Sequence, residues 1–156
     1  ERFPRAAVVL TSTAGELCAT RAGDALYQDT PQGWQGVVLQ LFSEAIIEQV
    51  GSGHQSIWAY FEVGDGWVDE SVFIDHGDHA EWIEADDSIA GAVVAAWESE
   101  PKGRRWQGME YRIDNGRFAT RLTYADQFDP NSSTSDRVVA IRAKHFGTKE
   151  IRYPAL

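Results

Sequence analysis

The segment Asp75-His76-Gly77-Asp78-His79 carries the residue types of a metal or acid–base site. It places two imidazoles and two carboxylates within five positions, and both groups are common ligands of zinc and other divalent metals. Consecutive strand residues point to opposite faces of a sheet, so these side chains converge only if a special loop gathers them. We expect a polar turn without bound metal here. A small metal-dependent enzyme that uses His76 and His79 is the alternative.

Other candidates for catalysis are isolated residues. His54 lies in a Gly-Ser-Gly-His loop and His145 near a helix end, and neither has a recognisable nucleophile or base beside it in the sequence. The paired acids Glu81 and Glu84, or Asp86 and Asp87, could act as a glycosidase pair, but acids are so common here that such pairs arise by chance. The chain contains no phosphate-binding glycine loop, nucleophile elbow or zincin motif. The sequence therefore predicts a protein without catalysis and without a cofactor.

The acidic residues are concentrated in one long segment. The 156 residues carry a formal net charge of −10, from 14 Lys plus Arg and 24 Asp plus Glu. Ala22 to Pro101 contains 16 acidic residues and no Lys or Arg, whereas the rest holds 8 acidic and all 14 basic residues, a net +6. This segment must present a negative field unless the basic C-terminal part folds over it. Nucleic acid is not the expected ligand, because phosphates are bound by clustered Lys and Arg.

Two interpretations of the acidic segment stay open: a solubilising surface, or a docking face for a basic protein partner. A cationic partner would relieve the repulsion between unpaired carboxylates and would be steered toward them. The partner-binding site predicted on this reasoning consists of carboxylates in the central strands and their turns: Asp65, Asp69, Glu70, Asp75, Asp78, Glu81 and Glu84.

Hydrophobic periodicity predicts a single α+β domain over residues 1–156, with about three helices packed against an antiparallel β-sheet meander. The first helix begins at Thr30-Pro31, carries an apolar stripe from Trp34 to Val50 and stops at Gly51. A strand over residues 34–42 is the alternative there. The second predicted helix is capped by Asp86 and Asp87 and buries Ile89, Val93 and Trp97. The third starts within residues 132–135, ends at Phe146 before Gly147, and places Val138, Ile141 and His145 on one side.

Alternation with a period of two predicts strands over residues 57–63, 67–74 and 80–84, with turns at 64–66 and 75–79. Asn115-Gly116, between two alternating runs, is the preferred two-residue hairpin turn. It fixes a register in which Glu110 lies opposite Arg121 as a charge pair. The core-side pairs are Ile113 with Phe118, Tyr111 with Thr120, and Met109 with Leu122.

Residues 1–30 give the weakest signals. Ala6 to Leu10 resembles a strand, Thr11 to Thr13 a turn or helix cap, and Leu17 to Leu26 has a helical spacing that glycines interrupt. No apolar run approaches the roughly 20 residues that span a bilayer. The single Cys18 can form no internal disulfide, which fits a reducing compartment. We therefore expect a cytoplasmic protein that does not enter membranes.

The C-terminal half has a recognisable order of motifs: Trp-Gln-Gly-Met-Glu-Tyr-Arg-Ile-Asp-Asn-Gly-Arg-Phe from Trp106, then Leu-Thr-Tyr-Ala-Asp, then a helix that bears Arg137 and ends His-Phe-Gly. This order resembles that of YezG-like bacterial toxin-immunity proteins. The strand around Trp58-Ala-Tyr-Phe and the helix before it are compatible, so the similarity covers mainly residues 34–147. It implies an α+β fold, no catalysis, and neutralisation of a cognate toxin by direct binding. A basic, nuclease-like toxin would fit the acidic segment.

Functions of two other classes remain as alternatives. One is the metal-dependent enzyme built around His76 and His79. The other is a small-molecule or regulatory binding module, in which aromatic side chains surround an apolar pocket: Trp58, Tyr60, Trp67 and Trp82. The sequence does not indicate the oligomeric state.

Overall fold

The computed structural model describes residues 11–13, 16–19, 45–51, 56–114 and 117–155, with side chains at 45–51, 56–114 and 120–155. The strands are β1 (Thr11–Thr13), β2 (Glu16–Ala19), β3 (Ser56–Gly64), β4 (Trp67–Asp75), β5 (His79–Ile83), β6 (Gly108–Asp114), β7 (Arg117–Thr123) and β8 (Glu150–Arg152). The helices are α1, of which residues 45–50 are described, α2 (Asp87–Glu98) and α3 (Thr134–Phe146). Short 3₁₀ turns lie at Lys102–Arg104 and Ala125–Gln127.

Within the described part of the chain, eight strands form one sheet in the order β1-β2-β7-β6-β3-β4-β5-β8. Neighbouring strands are antiparallel except β5 and β8, which are parallel. The α+β prediction is confirmed, and β3, β4 and β5 form the expected meander. The parallel pair was not predicted. It arises because α3 separates β7 from β8 and returns the chain to the far edge of the sheet.

Helices cover both faces of the sheet. Ile57, Ala59 and Phe61 of β3 pack with α1 and α2 in one buried cluster, and we call this side the α2 face. Trp58 and Tyr60, at the alternate positions, pack with residues of α3 in a second cluster, on what we call the α3 face. Successive strand residues point to opposite sides of a sheet. A strand with apolar residues at both its odd and its even positions must therefore be covered on both faces.

The helix ends follow from the capping residues. The Asp86 carboxylate accepts hydrogen bonds from the N–H groups of Ser88, at 3.1 Å, and Ile89, at 3.0 Å, and so begins α2 as predicted. Ile89, Val93 and Trp97 are its buried line. Ser133 begins α3 by a reciprocal capping box with Asp136. Gly51 and Gly147 follow α1 and α3 with φ of 88° and 60°, a region that glycine enters without steric cost.

The register predicted for the β6–β7 hairpin is confirmed. Residues 109, 110, 111 and 113 lie opposite 122, 121, 120 and 118, respectively. Met109 and Tyr111 are buried on the α2 face with Thr120, while Glu110 and Arg121 form a 3.9 Å charge pair. Asn115-Gly116 and the side chain of Phe118 lie outside the described residues.

The N-terminal expectations need correction where the structure describes them. Thr11–Thr13 is a strand, not a turn or helix cap, and Glu16–Ala19 is a strand, not the start of a helix. Residues 16–19 pair with β7, so pairing with a distant strand overrides a weak helical spacing. The predicted strand at residues 6–10, the start of the first helix with its strand alternative, and His54 lie outside the described residues.

Candidate functional site

The predicted turn at residues 75–79 is confirmed as the connection between β4 and β5. The Asp75 carboxylate accepts a 2.9 Å hydrogen bond from the N–H of Gly77, whose φ is 94°. The N–H of His76 donates to the carbonyl oxygen of His79 at 2.9 Å and closes the hairpin. Gly77 is required here because residues with a Cβ rarely adopt a positive φ.

The four side chains of this turn do not converge on one point. His76 Nε2 lies 2.9 Å from Glu81 Oε2, and His79 Nδ1 lies 2.6 Å from Asp78 Oδ1. The two imidazole rings stack on each other with centroids 4.7 Å apart. Asp75 instead binds Lys149 at 2.7 Å. Among the residues described, no group of three or more His, Cys, Asp or Glu is placed to hold a metal ion.

The seven carboxylates of the predicted partner-binding site are spread over the sheet. Asp65 lies in the turn before β4 and Asp78 in the turn after it, so they are separated by about 30 Å at roughly 3.3 Å per strand residue. Alternation places Asp69 and Asp75 on the α3 face, and Glu70 and Glu81 on the α2 face. Glu84 follows β5, and its carbonyl oxygen accepts from Gln49 Nε2. Asp75, Asp78 and Glu81 already have the partners named above.

Glu70 instead lies among other carboxylates. Burial raises its pKa, and the nearby negative charges of Asp69, Asp87 and Asp86 raise it further. We call these four residues the Glu70 cluster. Within the described part of the chain no Lys or Arg forms an ion pair with any of them. The Asp86 pKa is lowered by its hydrogen bonds from Ser88 and Ile89, so Asp86 stays charged at neutral pH.

The position of α2 creates this cluster. Asp86 and Asp87 were predicted as helix-capping residues, a role that Asp86 has, and were otherwise named only as a chance pair of acids. Packing of α2 on β3 and β4 also brings that capped end within electrostatic range of Glu70. Sequence reasoning missed the two aspartates as part of the site because their distance from Glu70 depends on that packing.

A buried ion pair on the α3 face was also missed. Glu62 is fully buried, and Arg137 of α3 binds it through both carboxylate oxygens, Nε to Oε1 at 2.6 Å and Nη2 to Oε2 at 2.8 Å. The Tyr60 hydroxyl donates to Glu62 Oε1 at 2.7 Å. The sequence did contain a signal for this pair, because Glu62 follows Trp58 and Tyr60 at the alternate strand positions that face the same side of the sheet. A carboxylate at such a position needs a cation.

The surroundings of Glu62 and Arg137 keep both charged. Burial acts to raise the Glu62 pKa, but hydrogen bonds from Arg137, Tyr60 and Thr134 outweigh it and lower the pKa. Arg137 Nη1 donates to the carbonyl oxygen of Ser132 at 2.6 Å, and the guanidinium lies 4.6 Å from the Phe128 ring centroid. Burial and the hydrogen bond to Glu62 raise the Tyr60 pKa. The pair therefore attaches α3 to β3.

In the described part of the chain, basic residues of the C-terminal part neutralise individual carboxylates of the acidic segment. Arg137 and Lys149 pair with Glu62 and Asp75 on the α3 face. The carboxylates of Glu70 and Glu81 lie on the other face, where Glu70 meets only negative neighbours among the charges that affect its pKa. The sequence left open whether neutralisation occurs. Among the described residues, the two long-range ion pairs that Lys and Arg form with this segment both lie on the α3 face.

The four aromatics proposed as a pocket lining have different environments. Trp58 and Tyr60 are buried in the α3-face core, where the Trp58 indole stacks on His145 with centroids 5.1 Å apart. Trp82 packs at the margin of this core beside Tyr153. Trp67 lies at the other end of β4, packed over Gly64 and 44% exposed. Three of the four are therefore packing residues, and Trp67 is a surface residue.

The fold and this surface define an α+β domain with an acidic cluster beside its central strands that no Lys or Arg of the described chain pairs with. Neither the scan against protein-family models nor the search of curated proteins gave a match to the chain. No helix among the residues that the structure describes is long and apolar enough to cross a membrane.

Proposed function

We propose that this protein is an immunity-type inhibitor that neutralises a cognate toxin by direct binding, and that the Glu70 cluster contacts the toxin. The observation that carries the proposal is the position of Glu70. Its carboxylate is partly buried among Asp69, Asp86 and Asp87, with no basic residue of the described chain paired to the cluster. In the free protein this arrangement costs stability, because the charges repel each other.

A cationic partner reverses that cost. Lys or Arg side chains placed beside the cluster would lower the Glu70 pKa toward its ordinary value and convert repulsion into attraction. The basic residues that form long-range ion pairs in the described structure do not supply this positive charge, because Arg137 and Lys149 are bound to other carboxylates. The arrangement therefore favours an external source of positive charge.

A nuclease-like toxin has the required chemistry. The cleft of a nuclease must be positive, because it holds the phosphates of its substrate. A protein that places carboxylates in such a cleft mimics the charge of the nucleic-acid backbone and blocks the substrate. The resemblance to YezG-like immunity proteins points to the same function, in a cytoplasmic protein.

The experiment first identifies the toxin gene that we expect beside this one, and then co-expresses its toxin domain with the protein while bacterial growth is followed. The wild type should restore growth, and the purified pair should associate with a rate constant that falls with rising salt, since the Debye length is about 8 Å at physiological ionic strength. The double variant Glu70→Gln/Asp87→Asn should associate at least about tenfold more slowly.

Glu98→Gln is the matched control. Glu98 is exposed and lies at the other end of α2, about 16 Å along the helix axis from Asp87 at 1.5 Å per residue. It should leave the association rate within about twofold of the wild type, because its charge is beyond a Debye length from the cluster. Failure to restore growth would contradict the proposed function. Association that is independent of salt and unchanged in the double variant would remove the Glu70 cluster from the interface.

A further inference from the structure

Half of β4 has no neighbouring strand on its outer side within the described part of the chain. The ladder with β3 runs along the whole strand, from Gly64 opposite Trp67 to Ile57 opposite Ile74. The ladder with β5 covers only residues 72–75. After Ile83 the chain leaves the sheet, and the N–H of Asp86 donates to the side chain of Gln49 at 2.8 Å. Residues 67–71 of β4 therefore form an open edge, which we call the β4 edge.

The hydrogen-bond pattern identifies which backbone groups face outward there. The N–H of Val63 donates to the carbonyl oxygen of Gln107 on the β6 side, at 2.9 Å. Because backbone groups alternate in direction along a strand, the N–H and C=O groups of Glu62 then point toward β4 and bond to the backbone of Asp69 opposite. The backbone N–H and C=O groups of Val68 and Glu70 must therefore point away from β3. The bond from the His76 N–H to the His79 carbonyl agrees, since His76 has the same parity.

We infer that the β4 edge accepts an extended, basic segment of the partner as an added β-strand. This inference rests on the proposed function and specifies how the partner binds. The N–H and C=O groups of Val68 and Glu70 would form the backbone ladder, as in other cases of strand addition to a sheet edge. Lys or Arg side chains at alternate positions of the added strand would lie beside Glu70, Asp86 and Asp87.

Charge decides which occupant fits this edge. Asp69 and Glu70 are in the middle of it, and charged residues on an edge strand prevent pairing with a second copy of the same edge, because like charges would lie together. A basic strand meets no such penalty. Trp67, 44% exposed at the start of the edge, adds an aromatic surface for the aliphatic part of a Lys or Arg side chain. The occupant is therefore a cationic strand of another protein.

The test uses a synthetic eight-residue peptide that alternates Lys and Thr, with a peptide that alternates Glu and Thr as its control. Amide hydrogen exchange of the wild-type protein is measured by NMR at 50 mM salt. Saturation with the Lys/Thr peptide should slow exchange at Val68 and Glu70 at least tenfold. Exchange at Asp69 and Ser71, whose N–H groups already point to β3, should change by less than twofold. The Glu/Thr peptide should have no effect.

Two variants separate backbone pairing from charge. Glu70→Gln removes the charge and keeps the N–H group, whereas Glu70→Pro also removes the outward donor, at an edge position where proline is tolerated. The proline variant should bind the Lys/Thr peptide at least tenfold more weakly than the glutamine variant, with circular dichroism confirming that both are folded. If the proline variant does not fold, the hydrogen-exchange experiment on the wild type still tests the inference.

Four results would overturn the inference. The first is absence of binding. The second is binding without protection of Val68 and Glu70, which would indicate side-chain contacts only and leave the proposed function intact. The third is concentration-dependent protection of these amides in the protein alone, which would assign the edge to a second copy. Restoration of growth by the proline variant, with unchanged toxin affinity, would also reject strand addition while supporting the immunity function.

Discussion

Two glutamates on adjacent strands have opposite electrostatic environments. Both Glu62 and Glu70 lose solvent on folding, and burial by itself raises the pKa of each. Glu62 gains Arg137 and has a lowered pKa, whereas Glu70 gains only other carboxylates and has a raised pKa. The first residue stabilises the fold at neutral pH and the second destabilises it. Under the proposed function, this difference separates a structural carboxylate from one that would contact the partner.

The buried pair should be costly to break from one side. Arg137→Met leaves Glu62 charged in the core without a cation, so the free energy of unfolding should fall by about 3–5 kcal/mol. Arg121→Met, the matched control, removes a partly exposed pair with Glu110 and should cost at most about 1 kcal/mol. Urea unfolding followed by tryptophan fluorescence measures both values. Equal costs for the two variants would show that Glu62 and Arg137 are not coupled in the core.

The Glu62 pKa also predicts a pH dependence. Its folded pKa is lowered from the ordinary value of 4.5, so its contribution is complete above pH 4.5 and is lost as the pH falls through the folded pKa. The stability difference between the wild type and Glu62→Gln should therefore be constant from pH 7 to about pH 5 and shrink in more acidic solution. Urea unfolding at a series of pH values tests this. A difference that grows on acidification would reverse the sign of the inferred shift.

At the scale of elements, close packing fixes where strands and helices meet. Gly108 begins β6 opposite Glu62. A Cβ added there would lie 2.8 Å from a ring carbon of Phe128 and 3.0 Å from the Tyr60 hydroxyl oxygen. The 3₁₀ turn before α3 can approach the sheet because this position has no side chain. Gly108 thus permits the aromatic contact over the Glu62 and Arg137 pair.

Two glycine-to-alanine changes should consequently have opposite effects. Gly108→Ala should lower the free energy of unfolding by about 1–3 kcal/mol, because the methyl group overpacks the contact with Phe128. Gly91→Ala, inside α2 with nothing within 4 Å of the added Cβ, should raise it by about 0.5–1 kcal/mol through helix propensity. Thermal and urea unfolding of the two variants give the comparison. Stabilisation by Gly108→Ala would mean that Phe128 moves aside freely.

At the scale of the described molecule, the long-range ion pairs of Lys and Arg lie on one face of the sheet. The chain has a formal net charge of −10, and the basic residues in long-range ion pairs, Arg137 and Lys149, act on the α3 face. The β4 edge and the capped end of α2 keep their negative charge. An acidic protein with this distribution approaches a basic partner in a preferred orientation.

Self-repulsion at the Glu70 cluster should be visible as a salt effect on stability. Raising NaCl from 10 to 150 mM shortens the Debye length from about 30 Å to about 8 Å, so the wild type should become more stable in urea unfolding. Glu70→Gln should be more stable than the wild type at low salt and pH 7, and should gain less from added salt. The Glu98→Gln variant should respond as the wild type does. A destabilising effect of Glu70→Gln would show that the Glu70 charge has a favourable partner.

Local patterns of the sequence determined most of the elements of this protein. Apolar alternation, the Asp86 cap, the Ser133 capping box and Gly147 act within a few residues, so β3, β4, β5, α2 and α3 could be predicted with nearly their observed bounds. The Asn115-Gly116 dipeptide likewise allowed the pairing of β6 with β7 to be predicted, and that register is observed. The N-terminal strands could not be predicted, because Glu16–Ala19 is held by pairing with β7 about a hundred residues away.

The candidate site also depended on tertiary structure, because it is formed by residues that are distant in the sequence. Sequence alone showed that carboxylates are concentrated between residues 22 and 101, but charge interactions depend on distance in space and on burial. Packing decided that Asp75 meets Lys149, that Glu62 meets Arg137, and that Glu70 meets Asp86 and Asp87. It also left residues 67–71 of β4 without a neighbouring strand in the described structure, since the chain leaves the sheet after Ile83 and then enters α2.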